Sequence, residues 1–205
     1  TMTGYDYKID WRDPKLFPLV KSYDGSVTVW GMTLSSYALD KGWFLFSYNL
    51  IDWNIGGSFM LPTPECIGVG FIKDNHGVEH AYLTNKSRSY ILGNISFDYY
   101  SNSVIFIDEA GKDISSYSLD QIPLKPLDFG PDSYASQSFY INDSTSEFYQ
   151  KEIVLNWFSG DLNALYCTGP GEYASLRQRW NGGFTIPVEY AILDTSDGYR
   201  LPQKP

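Results

Sequence analysis

The feature that most constrains this chain is the rhythm of its turns. Short segments rich in β-branched and aromatic residues are separated at close intervals by Asp-Gly, Asn-Gly-like and Pro-containing breaks, and few stretches carry a helical period. Asp24-Gly25 precedes a run from Ser26 to Leu34 in which Val27 and Val29 alternate with Thr28 and Trp30. Asp40-Lys41-Gly42 turns the chain into WFLFSYNLI, whose large apolar groups fall on both faces, as expected of an interior strand. IGVGFI, VEHAYLT, SYILGNISFDYY, SVIFIDE, SQSFYIND, EFYQKEIVLNWFS and FTIPVEYAILD continue the pattern. The Pro123 to Pro126 stretch reads as an extended crossover between sheets. One helical signal appears, a short segment from about Glu172 to Trp180 stopped by Gly182 or Gly183.

The expectation is an all-β, mainly antiparallel fold. It is read as one domain over residues 1–205, a β-sandwich, jelly roll or barrel with at most one or two short helices. Composition agrees: 43% of residues are hydrophobic, 19% are charged, and 17 Tyr, 12 Phe and 6 Trp give a folded, strand-rich profile.

Charge excludes some partners. A net charge of −9 with thinly spread Lys and Arg repels phosphate backbones and anionic lipid, so nucleic acid is not an expected partner. The longest apolar runs, GWFLF and SVIFI, are far too short to span a bilayer, so no transmembrane segment is expected. TMTGYDY reads as a trimmed start, and a secreted, periplasmic or cell-surface location is expected. Cys66 and Cys167 are the two cysteines and are expected to pair in an oxidising compartment. N-x-S sequons stand at Asn85, Asn94 and Asn142.

Two strings invite a catalytic reading. DNHGVEHAYL places His76, Glu79 and His80 in an H-x-x-E-H spacing that is similar to that of the inverzincin metallopeptidases. That chemistry needs a helix, where both histidines share a face, whereas Gly77 and the alternation after it imply a hairpin with Glu79 and His80 on opposite faces. IPVEYAIL resembles the nucleophile strand of the small jelly-roll xylanases, which would make Glu189 the nucleophile of a retaining glycosidase. That family's acid/base Glu follows at a long interval that this chain lacks. Other carboxylates able to form a glycosidase pair, Asp194, Glu65, Glu172 and Asp161, cannot be sorted by sequence. The turn in YINDSTSEF offers oxygens from Asp143 and Glu147 without EF-hand spacing. No cofactor or metal is expected.

Surface chemistry points elsewhere. Aromatic groups interleaved with Asp, Asn and Gly in YDYKIDWRD, NLIDWNIGG, FDYYSN and RQRWNGG suit sugar rings, whose C–H faces pack on flat aromatics and whose hydroxyls need planar polar partners. The favoured reading is a non-enzymatic carbohydrate-binding protein, a lectin, adhesin or carbohydrate-binding module, with Trp11, Asp52, Trp53, Asn54, Arg179 and Trp180 lining its site. A second reading is an inhibitor or immunity-type protein that blocks a protein partner, its acidic surface suiting a basic one. A glycoside hydrolase is third.

Overall fold

The computed structural model describes residues 10–86, 88–127, 133–158 and 183–205. Four strands open the chain: β1 (Trp11–Lys21), β2 (Val27–Ser36), β3 (Lys41–Ser47) and β4 (Asn54–Met60). They pair in chain order as an antiparallel meander. The next four repeat the arrangement: β5 (Gly68–Lys73), β6 (Glu79–Thr84), β7 (Ser89–Asp98) and β8 (Ser103–Asp108), with the short β9 (Lys125–Pro126) pairing with β7. A third sheet has the order β10 (Ser133–Tyr140), β11 (Glu152–Phe158), β12 (Val188–Tyr190) and β15 (Gln203–Lys204). The two-stranded β13 (Leu193–Thr195) and β14 (Gly198–Arg200) complete the described strands.

The all-β antiparallel expectation therefore holds. Among the described residues the helical content is two single 3-10 turns, Tyr37–Leu39 and Ile114–Ser116. None of the described helices is long and apolar enough to cross a membrane. Within the class, the arrangement is serial: successive four-stranded meanders, the blade unit of a β-propeller.

Local sequence explains the elements. Gly25 and Gly77 take φ values of 83° and 81°, the left-handed conformation that closes their turns. In DNHG, Asp74 Oδ1 accepts the backbone N–H groups of His76 and Val78, and Gly77 N–H bonds back to the Asp74 carbonyl. His80 then pairs with Ile72 and Glu79 with Lys73, so the two residues of the H-x-x-E-H string occupy opposite faces of β6. His80 is buried beside Asp74, 3.2 Å away, and Glu79 is exposed.

Two cores hold the sheets together. Phe17, Val29, Phe44, Phe46 and Phe59 of the first sheet pack with Val69, Leu83, Ile91, Val104 and Phe106 of the second. Ile72, Tyr82, Tyr90 and Leu92 of the second pack with Val154 and Tyr190 of the third. The first strands β1, β5 and β10 are neighbours. Lys15 of β1 donates from Nζ to the Ser138 carbonyl of β10 at 2.6 Å. An even-stranded meander returns the chain to the end from which it set out, so these first strands all begin at one end. That end gathers the start of β1, the 61–67 connection and the start of β10.

Candidate active site at the start of the first strands

β1 begins irregularly. Between Arg12, opposite Ser35, and Lys15, opposite Thr33, one extra residue bulges out, and Asp13 takes a left-handed φ of 56°. Pro14 has no N–H for the ladder, which suits it to such a bulge. The consequence is that the Asp13 carboxylate turns toward the second sheet, where its Oδ2 accepts the backbone N–H of Cys66 at 2.9 Å.

The connection from β4 to β5 is equally constrained. Thr63 and Cys66 flank Glu65 with φ values of 51° and 54°. Left-handed non-glycine residues each cost about 1–3 kcal/mol and persist where surrounding contacts over-determine them. Those contacts are present. Leu61 N–H donates to the Asp40 carbonyl at 3.1 Å, Asn85 Nδ2 to the Pro62 carbonyl at 3.2 Å and Thr33 Oγ1 to the Ile67 carbonyl at 3.1 Å. Of the nine non-glycine residues with positive φ among those described, five stand within two positions of the cluster built here: Asp13, Thr63, Cys66, Arg88 and Ala135.

Glu65 is at its centre. Arg12 Nη1 reaches Oε1 at 2.7 Å, Lys86 Nζ reaches Oε2 at 2.7 Å, and the Tyr134 hydroxyl hydrogen-bonds the carboxylate from β10. Its side chain keeps 15% of its exposure, enough to meet a ligand. Burial pushes the Glu65 carboxyl up, but Lys86, Arg12 and Tyr134 outweigh burial and hold it below the usual glutamate range. Arg12 also pairs with Asp10. Cys66 is half-buried, and burial together with the Asp13 and Glu65 charges pushes its thiol up to about 12, so it stays protonated. Beside this cluster Trp11 tilts against Trp43, ring centres 5.1 Å apart, and Lys41 lies over the Trp43 ring.

The sequence-predicted residues fall in different places. Trp11 stands at this end, next to Arg12. Asp52, Trp53 and Asn54 belong to the β3–β4 hairpin at the other end of the first sheet, about 20 Å away along a seven-residue strand. There Asp52 accepts from Asn49 and Trp53 Nε1 donates to the Leu50 carbonyl. Arg179, Trp180 and Cys167 lie outside the described residues, as do Asp161 and Glu172 and the expected short helix. The Cys66–Cys167 pairing is therefore not described. Glu189 is on β12 in an ion pair with Lys151 at 2.9 Å, and Asp194 is on β13, so neither joins the cluster. Asn85 is buried against Pro62, which leaves no room for a glycan at that sequon, whereas Asn94 and Asn142 are exposed.

Sequence reasoning left Glu65 unsorted and passed over Asp13. The one local mark the two share is a neighbouring proline, Asp13-Pro14 and Pro64-Glu65, which alone does not single them out.

Comparison with known proteins bears on the fold and the family. Over 200 residues the chain is 28% identical to a fructan beta-fructosidase of Streptococcus mutans, covering 96% of this chain and 12% of that protein. Its fold matches an exo-inulinase from Aspergillus awamori with a TM-score of 0.64, at 21% identity over 95% of this chain and 36% of the other. A fructofuranosidase from Schwanniomyces occidentalis crystallised with fructosylnystose matches with a TM-score of 0.56, at 18% identity over 94% of this chain and 34% of the other. The chain thus spans well under half the length of these proteins. The blades described above are those of a five-bladed β-propeller. Residues 2–205 match the glycosyl hydrolases family 32 N-terminal domain. This overturns the expectation of a non-enzymatic lectin, adhesin or carbohydrate-binding module, and with it the inhibitor or immunity-type reading and its protein partner, because the matched family is one of hydrolases. The chain belongs to the glycosyl hydrolases family 32 N-terminal domain family.

Proposed function

We propose that this chain carries part of the active site of a glycoside hydrolase that releases fructose units from fructose-containing glycans. The observation that carries the reading is the joining of two carboxylates from two sheets: Asp13 bonds the backbone N–H of Cys66, and Glu65 precedes it. Glycoside hydrolysis by paired carboxylates passes through a transition state with positive charge on the sugar ring and needs a proton delivered to the leaving oxygen. The substrate class rests on the names of the similar proteins, a fructan beta-fructosidase and an exo-inulinase.

The two acids suit different tasks. Asp13 has one oxygen fixed by a backbone donor and sits on a strained bulge, so it supplies a negative charge of fixed position to the ring. Glu65 is balanced between burial, which favours its proton, and two cations, which oppose it. A substrate that excludes water or displaces a cation tips that balance toward the protonated acid, which suits Glu65 to proton transfer. Arg12 holds Glu65 and presents further N–H donors to sugar hydroxyls. The Trp11 ring offers a flat face for the apolar side of a sugar. An exported location belongs to the same proposal and is supported by the composition.

The test is fructose release from inulin, levan and sucrose by the full natural polypeptide. Glu65→Gln should lower kcat by about 10²–10⁴-fold, the usual worth of a general acid or base, with the fold intact by circular dichroism. A parent protein that frees no sugar from any of the three, or a Glu65→Gln variant as active as the parent, would overturn the reading.

A further inference from the structure

Glu65 is held from a place that the two-carboxylate reading does not use. The turn between β6 and β7 is strapped to the Glu65 connection through Asn85 and Lys86. Asn85, 2% exposed, donates to the Pro62 carbonyl, Lys86 N–H donates to the Glu65 carbonyl at 2.9 Å, and Lys86 Nζ meets Glu65 Oε2 at 2.7 Å. Lys86 therefore grips both the main chain and the side chain of the same residue. Its side chain keeps only 12% of its exposure, so the contact is shielded from the solvent that makes surface ion pairs weak. Arg12 takes the other oxygen, which leaves the carboxyl no free rotation about its terminal bond.

We infer that Lys86 is a positioning residue for Glu65: it fixes the direction of the carboxyl and supplies, from the second sheet, the charge that balances it when ionised. The inference rests on the proposed function for its catalytic consequence, though not for its physical content. A lysine that held Glu65 only through the main-chain bond would matter for stability and leave the ionisation of the carboxyl alone. A positioning lysine acts on both.

The groups facing the Glu65 carboxyl are Arg12 from β1, Lys86 from the β6–β7 turn and Tyr134 from β10, with Asp13 and the Cys66 thiol beside it and Asp10 behind Arg12. Taking away Lys86 removes one of two adjacent cations and leaves burial and the Asp13 charge, so the carboxyl must bind its proton more tightly.

The experiment is a carbon-13 NMR titration of the Glu65 carboxyl, assigned by its absence in Glu65→Gln, in the parent protein, Lys86→Met and Lys86→Arg. An upward shift in Lys86→Met that Lys86→Arg largely reverses is expected. On fructans, Lys86→Met should also lower kcat by about 10- to 100-fold with KM within about two-fold, and move the alkaline limb of the pH profile upward. A Glu65 titration that is the same in all three proteins overturns the inference. Should Lys86→Met not fold, Lys86→Gln provides the same reading with a polar side chain. Inactivity of the parent on every fructan with a shifted titration would defeat the proposed function and leave the positioning role standing.

Discussion

At the scale of single residues, the proposed division of labour between Asp13 and Glu65 can be tested by charge-removing substitutions. Asp13→Asn keeps an oxygen able to accept the Cys66 N–H, so the bulge geometry survives while the charge is lost. If Asp13 stabilises developing positive charge, kcat should fall by about 10²–10³-fold with little change in KM. An equal loss in binding of unreacted substrate would instead mark Asp13 as a ground-state contact. Cys66 makes a second residue-scale statement. With its thiol pushed up to about 12, very little thiolate exists near neutrality, and the reduced protein should be alkylated by iodoacetamide at Cys66 at least about ten-fold more slowly than a free cysteine peptide at pH 8. Rapid labelling there would contradict the burial. These residues show where sequence reading stops. Trp11 stood out in the sequence as an aromatic among polar neighbours, and the structure places it beside Arg12 at the end that holds Glu65. Glu65 was one of several acids of equal appearance, since what distinguishes it is the meeting of Arg12 and Lys86, 53 residues before it and a strand pair after it.

At the scale of elements, most of the chain was legible because strands announce themselves locally. The alternation from Val27 and the doubly apolar WFLF run correspond to β2 and the buried β3, and Gly77 marks the β5–β6 turn. Close approach is less visible. Gly93 is the point at which β7 passes from pairing with β6 to pairing with β8, and a Cβ there would stand 2.1 Å from the Ile107 carbonyl oxygen. Backbone cannot yield as a flexible side chain does, so Gly93→Ala should cost about 3 kcal/mol, the upper end for overpacking, in urea unfolding. A loss under about 1 kcal/mol would show that the strands part easily. A buried acid gives a second test. Glu152 of β11 is 5% exposed, and its carboxylate accepts from the Tyr82 hydroxyl of β6 at 2.8 Å. Burial raises its proton affinity above the ordinary 4.5, and Ser138, Tyr82 and Lys15 oppose burial without cancelling it. A carboxyl that binds its proton more tightly folded than unfolded lends stability in full below the unfolded value and loses it as pH rises through the folded one. Glu152→Gln should therefore gain in Tm relative to the parent as pH rises above the ordinary glutamate value of 4.5. A difference that is flat or declines with pH would be incompatible with a buried, reluctant carboxylate.

At the scale of the whole molecule, what could not be read from the sequence was how the sheets assemble, because a four-stranded meander has the same local pattern in a sandwich, a barrel or a blade. The choice is made by contacts distant in sequence, in which Phe44, Phe46 and Phe59 meet Val104 and Phe106, and those contacts also decide the site. Asp13 belongs to the first sheet, while Glu65 and Lys86 are anchored to the second, so the first core sets the distance between the two carboxylates. The second core lies between the second and third sheets and leaves that distance alone. Phe106, fully buried in the first core, and Leu92, buried in the second, offer matched truncations. Phe106→Ala should cost about 3–5 kcal/mol and Leu92→Ala about 2–5 kcal/mol, both a large fraction of an ordinary domain's stability. Measured well below either melting point, they should part company in activity. Displacement of reacting groups by about 1 Å can cost about 10²-fold, so Phe106→Ala should lose far more of its kcat/KM on fructans than Leu92→Ala does. Equal losses would mean that Tyr134 and the third sheet constrain Glu65 as tightly as the first sheet does, and that the site is held by all three blades together.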